Sequence, residues 1–307
     1  MSIPQSFSTG PSKDGSSRFV RLMPYIAATA GVGFLSLMDA FMKEAATSTG
    51  AYTATLLRAL IGAAIIAPFW LWRWRGWPEK ATMKLHLERG VISAFMALSW
   101  FYALTKLPLA EAIAISFISP LVALYFARVL LGEVIQPQAI LASVLGFFGT
   151  LVIIGGKIGQ GDWDRDITLG LASLMFSALL YAYNFVVIRK QSQQAGPIEI
   201  ATFHSGISGL VLLLFVPLLA TAPLASSMLP IIAAAALTVA GAMAIAWAYA
   251  RAEAQALVPI EYSGFLWASV LGWAFFREAV TLPTIAGTAL IVAGCWLATR
   301  KKPTEEH

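Results

Sequence analysis

Cysteine, histidine and charged residues are all scarce in this chain of 307 residues. With one cysteine, Cys295, neither a disulfide framework nor a thiolate metal cluster is expected. Three histidines (His86, His204 and His307) are too few and too scattered for a histidine metal site. Only 12% of the residues are charged, against about a quarter in soluble domains. These deficits exclude a disordered chain, a disulfide scaffold and almost any soluble enzyme, and we expect no metal and no other cofactor.

The sequence motifs of several functional classes are also missing. No GxxxxGK[ST] loop is present to bind a nucleotide, which argues against a nucleotide-driven pump. Neither HExxH nor GxSxG occurs, and no Cys–His pair is available, so we predict that the chain is not an enzyme. An intramembrane enzyme remains the weaker alternative. A retinal receptor would need a Lys in the final helix, which has none, and a channel would need a repeated filter motif, which is missing from the sequence.

Long apolar segments dominate what is present. Apolar residues make up 58% of the chain and its mean hydropathy is +0.74. A membrane helix needs about 20 mostly apolar residues. The sequence predicts ten of them, which makes an all-α membrane protein with ten transmembrane helices, at residues 23–46, 51–72, 90–104, 109–130, 137–155, 169–188, 199–221, 229–250, 257–275 and 282–299.

Basic residues predict the orientation of these spans. Residues 1–22 are rich in Ser and Gly and contain no apolar core, so we predict a disordered cytoplasmic tail there. With the N-terminus inside, most of the 21 Lys and Arg residues fall on the cytoplasmic side. We therefore expect a multi-pass protein with both termini cytoplasmic. Its positive charge is expected to face anionic lipid head groups, with no nucleic acid as partner.

The two halves of the chain resemble each other at a spacing of 145 residues. Glu133 falls on Glu278, Gly149 on Gly294, and Asp39 on Asn184. Five helices are an odd number, so the second copy starts on the opposite side of the membrane. The spacing therefore predicts two inverted five-helix repeats, at residues 23–156 and 167–300. Such an architecture allows one midplane site to face the two sides alternately.

Short motifs near the ends of the apolar segments accompany this repeat. They are Leu57-Arg58, Phe101-Tyr102-Ala103-Leu104, the run from Ser119-Pro120-Leu121 to Leu131-Gly132-Glu133, Gly146, Gly149, Trp247-Ala248-Tyr249-Ala250 and residues 272–278. Together they resemble the drug/metabolite transporter superfamily, in its ten-helix branch with two EamA-type repeats, over about residues 25–300. One departure is that Phe265 stands where the family commonly has the proline seen at Pro120.

This resemblance implies a secondary transporter with a central cavity lined mainly by helices 1, 3, 4, 6, 8 and 9. Within the superfamily, the chain is similar to the exporters of aromatic and neutral amino acids in bacterial inner membranes. Amino acid export by alternating access is therefore the expected function. The alternative is transport of another small metabolite, such as a nucleoside, a sugar or an adenosyl compound. Since a ten-helix bundle encloses its own path, we expect a monomer whose partners are a small-molecule substrate and the lipid bilayer.

Charged residues within the predicted spans are candidates for transport, because an ionisable group in hydrocarbon is costly. Asp39 and Lys43 lie one turn apart on helix 1. They are either a mutually neutralising pair, or Asp39 binds substrate and Lys43 acts in coupling or gating. Arg58 is expected to pack helices. Glu261 follows Val258-Pro259 and is a second candidate for coupling or gating, with a hydrated helix start as the alternative.

Aromatic residues form the other candidate set. Flat rings with a polar edge suit ligands that have an apolar body, and they attract ammonium groups. Lipid anchoring is the alternative for each of them. Asn184 joins the set because an amide donates to a carboxylate and accepts from an amine, whereas His204 and Glu278 are expected to be structural. The predicted substrate-binding residues are Asp39, Trp100, Tyr102, Tyr183, Asn184, Trp247, Tyr249 and Tyr262.

Overall fold

A computed structural model describes residues 14–73, 76–131, 144–145, 148–149, 151–153, 155–156, 164–249, 251 and 263–299. Within these ranges the protein is helical and contains no strand. The helices are α1 (Asp14–Thr49), α2 (Ala51–Trp72), α3 (Lys80–Leu104), α4 (Leu109–Ser116), α5 (Ile118–Leu131), α6 (Arg165–Ser192), α7 (Pro197–Leu213), α8 (Val216–Leu219), α9 (Ala225–Tyr249), α10 (Ser263–Phe276) and α11 (Leu282–Thr299).

Four of these helices are long and apolar enough to cross a membrane. They contain the segments Leu22–Thr49, Ala51–Trp72, Arg165–Ile188 and Ala225–Ile245. Shorter apolar helices cover Pro197–Leu213, Ser263–Phe276 and Leu282–Gly294. The all-helical membrane architecture predicted from the sequence is thus confirmed for the described residues. α1 begins at Asp14, ahead of the predicted boundary at residue 22, and residues 1–13 lie outside the described part.

Helix boundaries follow local chemistry at two informative places. α1 and α2 are joined by Gly50 alone, whose φ of 95° is a conformation that residues with a Cβ rarely adopt. The apolar stretch predicted as one span at 109–130 is divided at Phe117 into α4 and α5. Ser116 donates to the Ile113 carbonyl at 2.8 Å just before this break, which satisfies a carbonyl at the helix end.

Hydroxyl groups tie neighbouring helices together. Ser173 and Ser177 of α6 donate to the carbonyls of Ser99 and Met96 on α3, at 3.0 and 2.9 Å. Ser208 of α7 donates to the Gly90 carbonyl at 3.0 Å. Such bonds between helices are favoured in a membrane, where lipid offers no competing hydrogen-bond partner. α3 is therefore held between α6 and α7, and it carries much of the polar chemistry described below.

α1 and α9 cross with their backbones close together. A Cβ at Gly31 would lie 2.7 Å from Ile245 Cγ1 and 3.2 Å from the Gly241 carbonyl oxygen. A Cβ at Gly241 would lie 3.1 Å from the Gly31 carbonyl oxygen. Two glycines therefore face each other across this crossing. Small residues allow such close approach between membrane helices, which gains van der Waals contact.

We expect Gly31→Val to lower the stability of the protein, because the two helices must separate to admit the side chain. Overpacking of this kind costs about 1–3 kcal/mol. Gly206→Val is the matched control, since a Cβ at Gly206 meets nothing within 4 Å. Thermal unfolding in detergent measures both variants. Equal unfolding temperatures for the two variants would show that the crossing at Gly31 tolerates a larger side chain.

Candidate functional site

Asp39 is the acidic residue of α1 that lies deepest in the predicted first span. It is ten residues from the end of α1 at Thr49, which corresponds to about 15 Å along the axis. Trp100 of α3 donates its indole Nε1–H to Asp39 Oδ1 at 2.9 Å. Both side chains are only partly buried. The indole thus fixes the carboxylate in place while leaving it acceptor capacity for a further partner.

Arg58 of α2 is the basic residue whose charge acts on Asp39. The two charges attract each other electrostatically. Among the described side chains, however, Asp39 and Arg58 do not form an ion pair with each other. The Arg58 guanidinium lies 5.1 Å from the centre of the Phe101 ring, and its Nη1 donates to Thr238 Oγ1 at 3.3 Å. Arg58 Nε is buried without a hydrogen-bond partner among the described residues.

Lys43 lies one turn beyond Asp39, and its partner is another carboxylate. It forms an ion pair with Glu278 and donates to the Leu107 carbonyl oxygen at 2.7 Å. Its ammonium also lies 5.0 Å from the centre of the Phe276 ring, and it is attracted by Glu111. The alternative in which Asp39 and Lys43 neutralise each other directly is wrong for the described side chains.

Glu278 connects three parts of the chain. Its Oε2 accepts from the Leu109 backbone N–H at 2.8 Å, at the first residue of α4. Carboxylates are favoured at helix N-termini because the first N–H groups are unsatisfied there. Arg277 has a φ of 56°, and the Glu278 N–H donates back to the Gly272 carbonyl at 3.2 Å. The turn that ends α10 therefore directs Glu278 toward α4 and Lys43.

An open depression lies beside this ion pair. Its volume is about 490 Å³, and it is lined by Lys43, Glu44, Thr47, Lys106, Phe276 and Glu278. At its rim, Lys106 donates to Asp166 Oδ2 at 2.7 Å, and this hydrogen bond raises the pKa of Lys106. The predicted topology places this depression on the outer face. Lys43 and Glu278, the two members of the ion pair, both line it.

A second polar cluster joins α3, α6 and α7 nearer the predicted cytoplasmic side. Arg89 Nε donates to Asn184 Oδ1 at 3.2 Å, and Arg89 Nη1 donates to Gln191 Oε1 at 3.0 Å. Gln191 Nε2 is 2.6 Å from His86 Nδ1, and His86 Nε2 is 3.0 Å from Glu199 Oε1. The chain of contacts from Asn184 to Glu199 is largely buried. It therefore fastens three helices to one another.

We expect Arg89→Ala to destabilise the protein strongly, because it leaves Asn184 and Gln191 without their shared donor. Unsatisfied buried polar groups cost about 1–3 kcal/mol each. Lys84→Ala serves as the control, since Lys84 lies on the same helix and is exposed. Unfolding in detergent measures the difference. The interpretation of this cluster would be contradicted if both variants unfolded at the wild-type temperature.

Two segments of the chain match one family of known proteins. The EamA-like transporter family matches residues 22–155 and 168–300. The chain belongs to the EamA-like transporter family. This EamA-like protein is accordingly a small-metabolite transporter of the membrane, and the family resemblance predicted from the sequence is confirmed at this level.

Its relatives are named after several different substrates. The pseudopaline exporter CntI of Pseudomonas aeruginosa is 27% identical over 270 residues, covering 87% of this chain and 92% of that protein. The riboflavin transporter of Brucella anthropi is 30% identical over 144 residues, covering 47% and 46%. The S-adenosylmethionine uptake transporter of Rickettsia prowazekii is 26% identical over 157 residues, covering 51% and 53%.

The fold is similar to that of a protein of known crystal structure. That protein is 20% identical to the EamA-like chain and superimposes with a TM-score of 0.60, covering 88% of this chain and 96% of the other. At that identity the likeness supports the fold alone. Together with the matched family segments, it agrees with the helical fold of the described residues.

The predicted substrate-binding residues fall at different depths of the EamA-like protein. Trp100 and Arg89 are eleven residues apart on α3, which is about 16 Å along the axis. Asp39, bound to Trp100, and Asn184, bound to Arg89, are therefore held by residues at different depths of α3. Tyr183 lies at the same level as Asn184, because its hydroxyl donates at 2.6 Å to Glu88, the residue that precedes Arg89 on α3.

The remaining candidates lie at the surface, at the end of α3, or outside the described residues. Trp247 is 38% exposed, and the Arg251 guanidinium lies 4.0 Å from the centre of its ring. Tyr102 is partly buried at the end of α3. The side chain of Tyr249, and the whole of Glu261, Tyr262 and Glu133, lie outside the described part of the chain.

The buried polar face of α3 was not predicted from the sequence. Thr82, His86, Arg89 and Ser93 recur at spacings of four, three and four residues, which places them on one side of a helix. All four are buried. Arg89 directly precedes the predicted third span, which starts at residue 90, so the search for charged residues within the spans does not include it. The helical periodicity of these polar residues was the signal that would have found them.

Proposed function

We propose that this chain is a secondary transporter that exports neutral and aromatic amino acids across the bacterial inner membrane by alternating access. Ten membrane helices would form two inverted five-helix repeats, at residues 23–156 and 167–300. Both termini would be cytoplasmic, with residues 1–22 ahead of the first span. The two family matches cover almost the same segments, which supports a duplicated chain. An isolated monomer would be sufficient, because the path runs within one bundle.

The observation that carries this proposal is the Asp39 carboxylate, held by Trp100 inside the first span. A carboxylate beside an aromatic ring suits a ligand with an ammonium head and an apolar side chain. Trp100 and Tyr102 on α3 would contact the apolar part. Tyr249, Tyr262 and Trp247 would complete the aromatic wall when the halves move, and Glu261 would take part in coupling.

The two polar clusters would act as closures at opposite ends of the path. Lys43 and Glu278 join α1 to the end of α10 on the predicted outer side. Asn184 and Arg89 join α6 to α3 on the predicted cytoplasmic side. Each cluster links one matched half of the chain to the other. Opening one while the other stays closed would expose Asp39 to one side at a time.

A second candidate function is supported by the names of the relatives. Riboflavin, S-adenosylmethionine and pseudopaline are the molecules named for them. None of these names specifies a neutral amino acid. Transport of an adenosyl compound, a nucleoside or a sugar is therefore the alternative for this chain.

The experiment is flux into proteoliposomes that contain only this protein. Labelled neutral and aromatic amino acids are scanned with and without a proton gradient, and empty liposomes provide the background. We expect saturable uptake that unlabelled aromatic amino acids compete. If the folded protein moves no amino acid, the proposal fails in favour of the second candidate, which the same liposomes test with nucleosides and sugars.

A further inference from the structure

A narrow cleft lies between α2, α3 and α7. Polar side chains form much of its lining: Thr55 and Arg58 from α2, Ser93 from α3, and His204, Ser205 and Ser208 from α7. It has room for about one water molecule. The cleft is separate from the Lys43–Glu278 depression, and it adjoins Arg58, whose guanidinium attracts Asp39.

Three polar atoms of this lining lack partners. Arg58 Nε, Ser93 Oγ and His204 Nδ1 are buried and make no hydrogen bond within the described part of the chain. Ser93 is 1% exposed. A buried donor without a partner costs about 1–3 kcal/mol, and lipid supplies no substitute. Three such groups on residues that line one small cleft therefore point to a shared ligand.

The chemistry of the three atoms specifies that ligand. Arg58 Nε–H is a donor with a full positive charge, Ser93 has a hydroxyl donor, and His204 donates from Nδ1 in one of its tautomers. The positive charges of Arg58 and Arg89 both act on His204. The negative charge that acts on Arg58 is that of Asp39. Donors in a positive surrounding favour an anionic oxygen.

We propose that this cleft is the subsite for the carboxylate of the transported molecule. One carboxylate oxygen has about the size of the water molecule that fits there, and a guanidinium is its preferred partner. This inference rests on the proposed function, in which Asp39 binds the ammonium. An amino acid placed between Asp39 and Arg58 would then have its ammonium beside the Asp39 carboxylate and its carboxylate beside the Arg58 guanidinium. Because the amino acid is a zwitterion, it would add no net charge to the membrane interior.

The binding test uses simple anions, since the transported molecule is unidentified. The purified full chain is unfolded thermally in detergent with sodium formate, sodium acetate, sodium chloride or acetamide, the ionic strength being held constant. A ligand that binds the folded state raises the unfolding temperature by mass action. We expect formate and acetate to raise it more than chloride, and acetamide to have no effect.

Variants then locate the effect. Arg58→Gln should weaken the apparent formate affinity by at least about tenfold, since it removes a charge-assisted partner. Ser93→Ala, a smaller change, should weaken it several-fold and covers the case in which Arg58→Gln fails to fold. Arg73→Gln, at the exposed residue that follows α2, is the matched control and should respond like wild type. Equal stabilisation by chloride, or an unchanged formate response in Ser93→Ala, would overturn the carboxylate subsite.

Flux separates this inference from the proposed function. In proteoliposomes we expect wild-type protein to prefer an amino acid over its amide, and Arg58→Gln to lose that preference. If carboxylates bind in the cleft but no amino acid moves, the proposed function fails and the anion site stands. If amino acids move and Arg58→Gln keeps the preference for the acid, the subsite is wrong and the proposed function stands.

Discussion

Replacing Asp39 with Asn should lower amino acid flux by about 100-fold. This corresponds to about 2.7 kcal/mol less stabilisation of the substrate's ammonium group during transport. The substitution keeps an oxygen that accepts from Trp100 Nε1, so the local structure should survive. It removes the charge that attracts the ammonium and Arg58. The loss therefore reports on the charge of residue 39, while the contact with Trp100 is retained.

Glu44→Gln is the matched control for this prediction. Glu44 lies on the same helix and is exposed, beside the outer depression. Its loss should leave flux unchanged within the error of the assay. Both variants are compared at equal protein content, with unfolding temperatures measured in parallel. Wild-type flux in a folded Asp39→Asn protein would remove Asp39 from the path of the substrate.

The Lys43–Glu278 ion pair should give the largest effect on stability. Both side chains are mostly buried, with exposed fractions of 10% and 19%. Lys43→Met removes the ammonium that attracts both Glu278 and Glu111, and Glu278→Gln removes one of two carboxylates near Lys43. Breaking a buried pair costs about 3 kcal/mol. We therefore expect both variants to unfold earlier, and Lys43→Met to be the more destabilised.

The double variant Lys43→Met/Glu278→Gln decides whether the pair acts as a unit. It leaves neither member of the pair charged, and the amide that replaces the Glu278 carboxylate still offers an oxygen to the Leu109 N–H. Its loss of stability should thus be smaller than the sum of the two single losses. Lys106→Gln, from the more exposed contact with Asp166, should have little effect. Additive single losses would contradict the buried pair.

Much of the first helical hairpin follows directly from the sequence. The predicted span 51–72 coincides with α2, because an apolar stretch of that length is preceded by Gly50 and followed by polar residues. The helical class and the membrane setting follow from composition in the same way. The break at Phe117 was not predicted, although the stretch 109–130 contains a local signal for it. Pro120 stands in the first turn of α5, where proline is tolerated and marks a helix start.

Partners distant in the chain explain what the sequence did not predict. Lys43 and Glu278 are 235 residues apart, and helix periodicity alone cannot pair them. Spacing placed Lys43 beside Asp39, whereas folding gives Lys43 another carboxylate. The sequence predicts a structural role for Glu278, and in the fold its carboxylate caps α4 from the other half of the chain. Arg58 was expected only to pack, because the cleft beside it requires α7.

Alternating access at the outer closure is tested most directly by a reversible cross-link. Thr47→Cys lines the depression beside Lys43, and Ala279→Cys follows Glu278. Both are introduced into a Cys295→Ser protein and joined by a short, reducible, bifunctional thiol reagent, with each single cysteine as control. We predict that the cross-link stops amino acid flux and that reduction restores it. Undiminished flux through fully cross-linked protein would contradict movement at this closure.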